Sequence, residues 1–308
     1  MRSRQEIWWD STVNQQRESR YSKKDSNLPN MKYLHTRSLP ANLACVAAFF
    51  IFILAPVRSY AVDLLPQTSA LFDKHISNIE ARLEQRYRQP AFLSVPSSGE
   101  KDQQLRGGSI LVQPSVGNGN LEVKGGQIQD WTGALFIPSA KMADVLKIAQ
   151  DFGRHAEIFK PDITAVKVRA HEGNRFLVYM RFVKSKFMLT DVLDAEYDIH
   201  FVQNDPKRAY SYGRTTRVVE VVDAGKPSEH ELPEGKDRGL LWRTAGYWLF
   251  EERDGGVYVE WQSVSLTRDI PLGMGKLFGP ILRSLPAESV RSSLDKTRNA
   301  VVRHMSTK

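Results

Sequence analysis

Hydrophobic and polar positions define a strand–turn–strand–helix order in the C-terminal part of the chain. Residues 240–251 and 257–267 are rich in aromatic and β-branched residues, and an Asp-Gly-Gly sequence separates them. An Asp-Gly turn between two such segments is typical of a β-hairpin. A break containing Pro and Gly follows at 270–275, and an amphipathic helix is predicted from about Pro286 onward. This order predicts a curved antiparallel sheet that folds around one terminal helix.

The middle of the chain has the pattern of a series of strands. Residues 190–201 alternate between an apolar face (Leu193, Ala195, Tyr197, Ile199 and Phe201) and a polar face (Asp194, Glu196, Asp198 and His200). Such alternation predicts a strand in a sheet that has one covered and one solvated face. Further strands are predicted at 128–137, 163–170, 176–184 and 209–222.

Two short helices are predicted directly after the first of these strands. Met142, Val145, Leu146 and Ala149 recur at helical spacing, with Ser139 as the predicted N-cap, and a second short helical turn covers 155–159. Antiparallel neighbours with helices set apart in sequence indicate an α+β fold. We therefore expect about six to seven antiparallel strands, with the two short helices after the first strand and a long C-terminal helix.

A helix and a polar segment precede the predicted sheet. Apolar residues recur at helical spacing between Phe72 and Tyr87, which predicts an amphipathic helix over 66–90. Our interpretation is that its apolar stripe packs on the domain, and a helix for self-association is the alternative. Residues 94–108 are polar and predict a mobile linker. Two short apolar segments within 109–123 predict a small hairpin.

The first 61 residues have the pattern of a targeting segment. Residues 43–57 form an unbroken apolar run, which basic residues precede and Ser59 and Ala61 follow, as in a secretory signal peptide. The run is shorter than the ~20 residues that a membrane-spanning helix needs. The polar residues 1–30 are unlike such a signal, so Met31 is the expected start of translation.

These patterns divide the chain into four parts. We predict an upstream non-structural extension (1–30), a signal peptide (31–61), a helix plus linker (62–108) and a folded domain (109–308). The protein is then exported, either to the periplasm or into the medium. The alternative is a protein that remains anchored in the membrane by an uncleaved helix over 43–57.

Charge and cysteine content narrow the class of function. The formal net charge is +8, but residues 1–61 hold nine of the 43 Lys/Arg and four of the 35 Asp/Glu. The remainder has 34 basic and 31 acidic residues, a net charge of +3, which does not favour a nucleic-acid partner. Cys45 is the single cysteine and lies in the apolar run, so the mature chain would hold no disulfide and no thiolate metal site.

Short motifs, together with this order of elements, resemble the START-like superfamily. Residues 152–161 resemble the second helix of that superfamily and its exit, and residues 246–249 resemble its Gly-x-Trp-x strand. Residues 268–271, followed by Pro286, resemble the proline-containing segment before its last helix. The resemblance covers 128–305. The superfamily includes polyketide cyclase/aromatases, coenzyme-Q-binding proteins, plant allergen-type carriers and lipid-transfer domains, and this chain resembles an exported bacterial member.

The resemblance implies a helix-grip fold with a cavity for a hydrophobic ligand between the sheet and the last helix. Candidate wall residues are the aromatic side chains Trp131, Tyr179, Tyr197, Trp248 and Trp261. Arg181, Arg214 and Arg268 are candidates for contact with a carboxylate or phosphate. The alternative is that the aromatic residues belong to the ordinary core and that the arginines lie on solvated faces of their strands. The sequence leaves both open, because the face on which a side chain lies depends on the register of its strand.

The sequence gives little support for a reaction. No two histidines after the signal segment have the spacing of a zinc protease, and His155-Ala156-Glu157 lacks the cysteines that complete a zinc deaminase site. Neither a Gly-x-Ser-x-Gly elbow nor a Gly-rich phosphate loop is present. We expect no metal and no cofactor, and His155 is a weak candidate for a general acid or base.

Three functions are consistent with these observations. The first is a non-catalytic carrier or sensor that binds an apolar small molecule or a lipid. Such a protein could also contact a membrane peripherally. The second is a cyclase/aromatase- or hydrolase-like enzyme that uses the same cavity. The third is an interaction module of the cell envelope, with the helix over 66–90 as its docking element. The sequence does not indicate an oligomeric state.

Overall fold

The computed structural model of the protein describes residues 63–95, 98–186, 189–233, 241–269 and 275–308. The predicted extension and the apolar run at 43–57 lie outside these residues. Within them, no helix is long and apolar enough to cross a membrane.

The elements in chain order are α1 Pro66–Tyr87, α2 Glu100–Arg106, β1 Leu111–Pro114, β2 Asn120–Val123, β3 Gly126–Pro138, α3 Met142–Gln150, α4 Phe152–Ile158, β4 Ile163–Glu172, β5 Arg175–Lys186, β6 Leu189–Asp205, β7 Arg208–Val222, β8 His230–Glu231, β9 Leu241–Arg253, β10 Gly256–Arg268 and α5 Gly275–Ser306.

The strands form one antiparallel sheet in the order β1-β3-β10-β9-β7-β6-β5-β4, with β2 on β3 and β8 on β7. This confirms the predicted α+β class and the two short helices after the long first strand. The sheet has ten strands in the described part of the chain, more than the six to seven predicted, because β1, β2 and β8 are short additions. The predicted hairpin within 109–123 is wrong, since β1 and β2 each pair with β3 and not with one another.

The β9–β10 hairpin has the turn that its sequence predicted. Arg253 pairs with Gly256, so the loop between them contains two residues. Asp254 and Gly255 have φ angles of 57° and 79°. Positive φ at both central positions is the type I′ geometry, which Asp-Gly adopts readily and which matches the twist of the strands.

Helix α5 packs on one face of the sheet, here called the inner face. Val290, Leu294 and Val301 are fully buried and pack among side chains of β3, β9 and β10. The helix approaches β3 closely at Gly133, where an added Cβ would lie 2.6 Å from both Val290 Cγ1 and Leu294 Cδ1. The helix begins at Gly275 rather than near Pro286, which lies inside it.

Helix α1 packs on the opposite, outer face, which confirms the predicted helix and its packing. Phe72, Ile76, Ile79 and Leu83 are at most 4% exposed and share one cluster with outer-face residues of β9 and β10. Polar contacts surround this cluster, including ion pairs from Arg243 to Asp73 and from Arg86 to Glu260. The apolar stripe of α1 is therefore occupied by the sheet, so it is not available as a docking surface.

Part of the predicted linker is folded. Residues 100–106 form helix α2, in which Leu105 is 0% exposed. Asp102 is also buried, and its Oδ1 accepts a hydrogen bond of 2.7 Å from the Tyr258 hydroxyl. A carboxylate is tolerated inside a protein when it is hydrogen-bonded in this way. The polar composition of 94–108 did not indicate this contact, because Tyr258 lies far away in sequence.

Candidate functional site

A cavity of about 190 Å³ lies between the inner face of the sheet and helices α3, α4 and α5. Its lining is mostly apolar and aromatic. The lining residues are Ile148, Ala149, Phe152, His155, Phe159, Ile163, Met180, Phe182, Tyr197, Ile199, Phe201, Ser211, Gly213, Thr244, Ala245, Gly246, Trp248, Phe250, Trp261, Ser263, Ser293 and Thr297. Among them there is no Asp, Glu, Lys or Arg, so the described part of the wall carries no fixed charge.

A row of small residues across three strands makes room for the cavity. Gly213 of β7 pairs with Gly246 of β9, which pairs with Ser263 of β10. Residues paired across strands project from the same face, so three neighbouring positions on the inner face carry almost no side-chain volume. Glycine inside a strand weakens it and often marks a place where a ligand comes close to the backbone.

The next row forms an aromatic wall. Trp248 pairs with Trp261, and their indole rings stack with centroids 4.9 Å apart and an angle of 8° between the planes. Ser211 lies beside Trp248 in the same row. Parallel indoles expose a broad, flat apolar surface, which suits an apolar or aromatic ligand.

Helices α3 and α4 close one side of the cavity. Asp144 in the first turn of α3 accepts a hydrogen bond of 3.0 Å from the backbone N–H of Lys141, which is the N-cap residue. The predicted cap Ser139 is instead in a turn with φ of 64°, and its N–H donates to the Gly255 carbonyl. The N-cap prediction was wrong because Ser139 belongs to the preceding turn, and the helix begins only at Met142, after the N-cap residue Lys141.

His155 of α4 lines the cavity beside two aromatic rings. Its Nε2 lies 3.2 Å from the carbonyl oxygen of Ile148, in the last turn of α3, and its ring contacts Phe152 and Phe159. Burial lowers the pKa of His155 below its ordinary value. The imidazole is therefore neutral at pH 7 and donates to one of the carbonyls that a helix end leaves unpaired. This contact joins α3 to α4.

Four of the sequence-predicted residues lie at the cavity. Tyr197 of β6, Trp248 of β9, Trp261 of β10 and the weak catalytic candidate His155 all line it. Trp131 pairs with Ser263 and shares the inner face, but it lies outside the lining residues. Its indole packs on Gly119, where an added Cβ would come within 2.3 Å of the ring.

Tyr179 and Arg181 belong to the outer face of β5, because Met180 and Phe182 occupy the cavity side of this strand. Arg181 donates to both carboxylate oxygens of Asp194, at 2.7 and 2.8 Å, and the Tyr179 hydroxyl donates to the same carboxylate at 2.8 Å. Burial raises the pKa of Tyr179 to about 12. These two candidates therefore form a structural network and do not meet a ligand in the cavity.

The other two candidate arginines also point away from the cavity. Arg214 pairs with Glu80 of α1 on the outer face, through two guanidinium nitrogens. Arg268 is 5% exposed, and its guanidinium lies 5.1 Å from the centroid of the Trp242 ring in the outer-face cluster. Arg181, Arg214 and Arg268 are thus not among the described lining residues, and the structure does not bring them to the cavity.

Comparisons with protein-family models and with curated proteins give no match. Solved structures that resemble this chain include a STAR-related lipid transfer protein from Xanthomonas axonopodis, at 18% identity and a TM-score of 0.39, over 59% of this chain and 98% of that one. The Zhui aromatase/cyclase from Streptomyces sp. R1128 has 12% identity and a TM-score of 0.41, over 58% of this chain and 96% of that one. Human STARD10 has 8% identity and a TM-score of 0.40, over 70% of this chain and 84% of that one.

START-like proteins are thus among the structures that this chain resembles, as its motifs and element order predicted. The likeness is one of fold only. The functional proposal therefore depends on the cavity and its lining.

Proposed function

We propose that this protein binds an apolar small molecule or lipid in the cavity and catalyses no reaction on it. The observation that carries the proposal is an uncharged, largely aromatic and aliphatic lining, opened by the row Gly213, Gly246 and Ser263. Ligand sites in proteins are typically concave and apolar, with a few polar groups that fix orientation. Ser211, Ser263 and Tyr197 supply such polar groups here.

An enzyme that uses the same cavity has weaker support. A general acid or base needs a proton position that faces the substrate. In His155 the Nε2 lies against the Ile148 carbonyl, and burial lowers its pKa, so its described contacts suit a structural role. The arginine–tyrosine pair of β5 is on the opposite face.

A substitution that fills the cavity tests the proposal. Ser263→Leu adds an apolar side chain to the floor of the cavity, and Ser77→Leu adds the same side chain on the exposed face of α1. We expect wild type and Ser77→Leu to carry an apolar molecule after gentle purification, detected by native mass spectrometry and solvent extraction. We expect Ser263→Leu to carry at least about tenfold less bound molecule than wild type. A loss of only ~1.4 kcal/mol in binding free energy weakens the affinity tenfold.

Either of two results would contradict the binding proposal. One is a wild-type protein that is always empty and that no apolar probe stabilises against heat. The other is equal occupancy of Ser263→Leu and wild type, with both variants folded by circular dichroism.

We also propose that the protein is exported through the apolar run at 43–57, with cleavage after Ala61. Support comes from the basic residues before the run, its length, and the small residues Ser59 and Ala61 after it. We expect N-terminal sequencing of the protein from the periplasm or medium to begin at Val62. Peptides from before Val62 in the mature protein would instead indicate a retained membrane anchor.

A further inference from the structure

The Tyr197 hydroxyl distinguishes one part of the cavity wall. Tyr197 pairs with Thr215 at an irregularity of the β6–β7 ladder, where the register shifts between Glu196 and Tyr197. Such a shift changes the direction of a side chain relative to a regular strand. The ring lies 6.1 Å from that of Phe182, and both residues line the cavity.

This hydroxyl has no hydrogen-bond partner among the described residues. Burial raises the pKa of Tyr197, and no hydrogen bond or neighbouring charge contributes to the shift. Three other tyrosines that are largely removed from solvent, Tyr179, Tyr247 and Tyr258, each donate to a carboxylate. A buried tyrosine O–H normally finds a partner. Tyr197 lacks one among the described residues, as does Tyr210 of the outer-face cluster, and of these two Tyr197 lies at the cavity.

Helix α5 contributes a second hydroxyl of the same kind. Thr297 is 4% exposed, and its Oγ1 is buried with no hydrogen-bond partner. Thr297 lines the cavity from the helix, whereas Tyr197 lines it from the sheet. Two elements of the fold therefore bring unpaired hydroxyl groups to one apolar space.

The same space is unsuited to an ion. The described lining residues include no acidic residue, lysine or arginine, and the buried imidazole of His155 has a lowered pKa and is neutral at pH 7. A charged group that enters an apolar cavity without a partner loses its hydration and gains no compensating contact. A neutral oxygen of a ligand, in contrast, can accept a hydrogen bond from the Tyr197 hydroxyl, which has no acceptor among the described residues.

We propose that the ligand is an uncharged molecule with an apolar ring skeleton and a carbonyl, ether or hydroxyl oxygen, which accepts a hydrogen bond from the Tyr197 hydroxyl. The skeleton lies against the Trp248–Trp261 wall. This proposal rests on the proposed function and adds to it the chemical class of the ligand. It excludes fatty acids and other anions, and it places plain hydrocarbons below their oxygenated counterparts in affinity.

Three small probes of the same ring size test the proposal by isothermal titration calorimetry. They are 1-tetralone, which has a ketone oxygen, tetralin, which has none, and 1,2,3,4-tetrahydronaphthalene-1-carboxylate, which is charged at pH 7. We expect the wild-type protein to bind the ketone about tenfold more tightly than the hydrocarbon, the ratio expected for one hydrogen bond. The carboxylate is expected to bind more weakly than either neutral probe.

Tyr197→Phe removes only the hydroxyl and is expected to abolish the preference for the ketone, with hydrocarbon affinity unchanged within about twofold. Tyr212→Phe is the matched control, because Tyr212 of β7 lies next to the cavity residues Ser211 and Gly213 but stacks on His200. This variant is expected to keep the full preference.

The outcomes separate the two proposals. If no neutral probe binds wild type, the proposed function is wrong. If both neutral probes bind equally, if Tyr197→Phe keeps the preference, or if the carboxylate binds best, then binding stands and the assigned ligand class is wrong.

Discussion

Ile76→Asp is expected to lower the free energy of unfolding by about 5 kcal/mol. Ile76 is 1% exposed in the middle of α1 and belongs to the outer-face cluster. Loss of a buried isoleucine side chain costs about 2 to 5 kcal/mol, and burial of an unpaired carboxylate adds to this. Urea denaturation followed by circular dichroism measures the change.

Asn78→Asp provides the control for this substitution. Asn78 is exposed on α1, so the same carboxylate there is expected to change the unfolding free energy by less than about 0.5 kcal/mol. Ile76→Ala supplies a milder second variant, with an expected loss of about 3 kcal/mol. If Ile76→Asp changed only the oligomeric state and left stability as in wild type, α1 would be a self-association helix after all.

Gly133→Val is expected to lower the free energy of unfolding by about 3 kcal/mol. Its Cβ would lie 2.6 Å from Val290 Cγ1 and Leu294 Cδ1, and 3.2 Å from the Leu111 carbonyl oxygen. Overfilling a packed contact typically costs about 1 to 3 kcal/mol, and the rigid branched side chain of valine places this case at the upper end. Helix α5 would have to move away from β3, which would also alter the cavity.

Gly153→Val is the matched control, because an added Cβ there meets only Asp151 Oδ1 at 3.6 Å. In the exposed position on α4 the same substitution is expected to change stability by less than about 0.5 kcal/mol. Thermal and urea unfolding of both variants give the comparison. Equal stability of the two variants would mean that α5 does not lie as close to β3 as described.

The sequence predicted those parts of the fold that depend on local pattern. The Asp-Gly turn, the period-two strands and the stripe of α1 each depend on residues that are close together in the chain, and each is confirmed. The alternation in β6 also placed Tyr197 on the covered face. The linker and the small hairpin were predicted wrongly, because α2 and β1 are fixed by contacts with Tyr258 and β3.

The site was predicted only in part, because it depends on register. Arg181 and Phe182 are adjacent in sequence, and only the pairing of β5 with β6 decides which of them faces the cavity. The row Gly213, Gly246 and Ser263 was not proposed as a site. Glycines inside otherwise regular strands were the available indication, and they become informative once the three positions are known to pair.

The docking of α1 has a consequence for the order in which this protein is built. The contacts that fix α1 join residues up to 174 positions apart, from Ser69 and Arg86 to Arg243 and Glu260. Strand β10 pairs with β3 over the whole length of β3, whereas β1 and β2 each pair with only part of it. Neither face of the sheet is complete until the last hairpin has been synthesised. In a nascent chain, the N-terminal half of the sheet therefore lacks its partners almost until synthesis ends. A protein of such high contact order folds slowly and only as a whole.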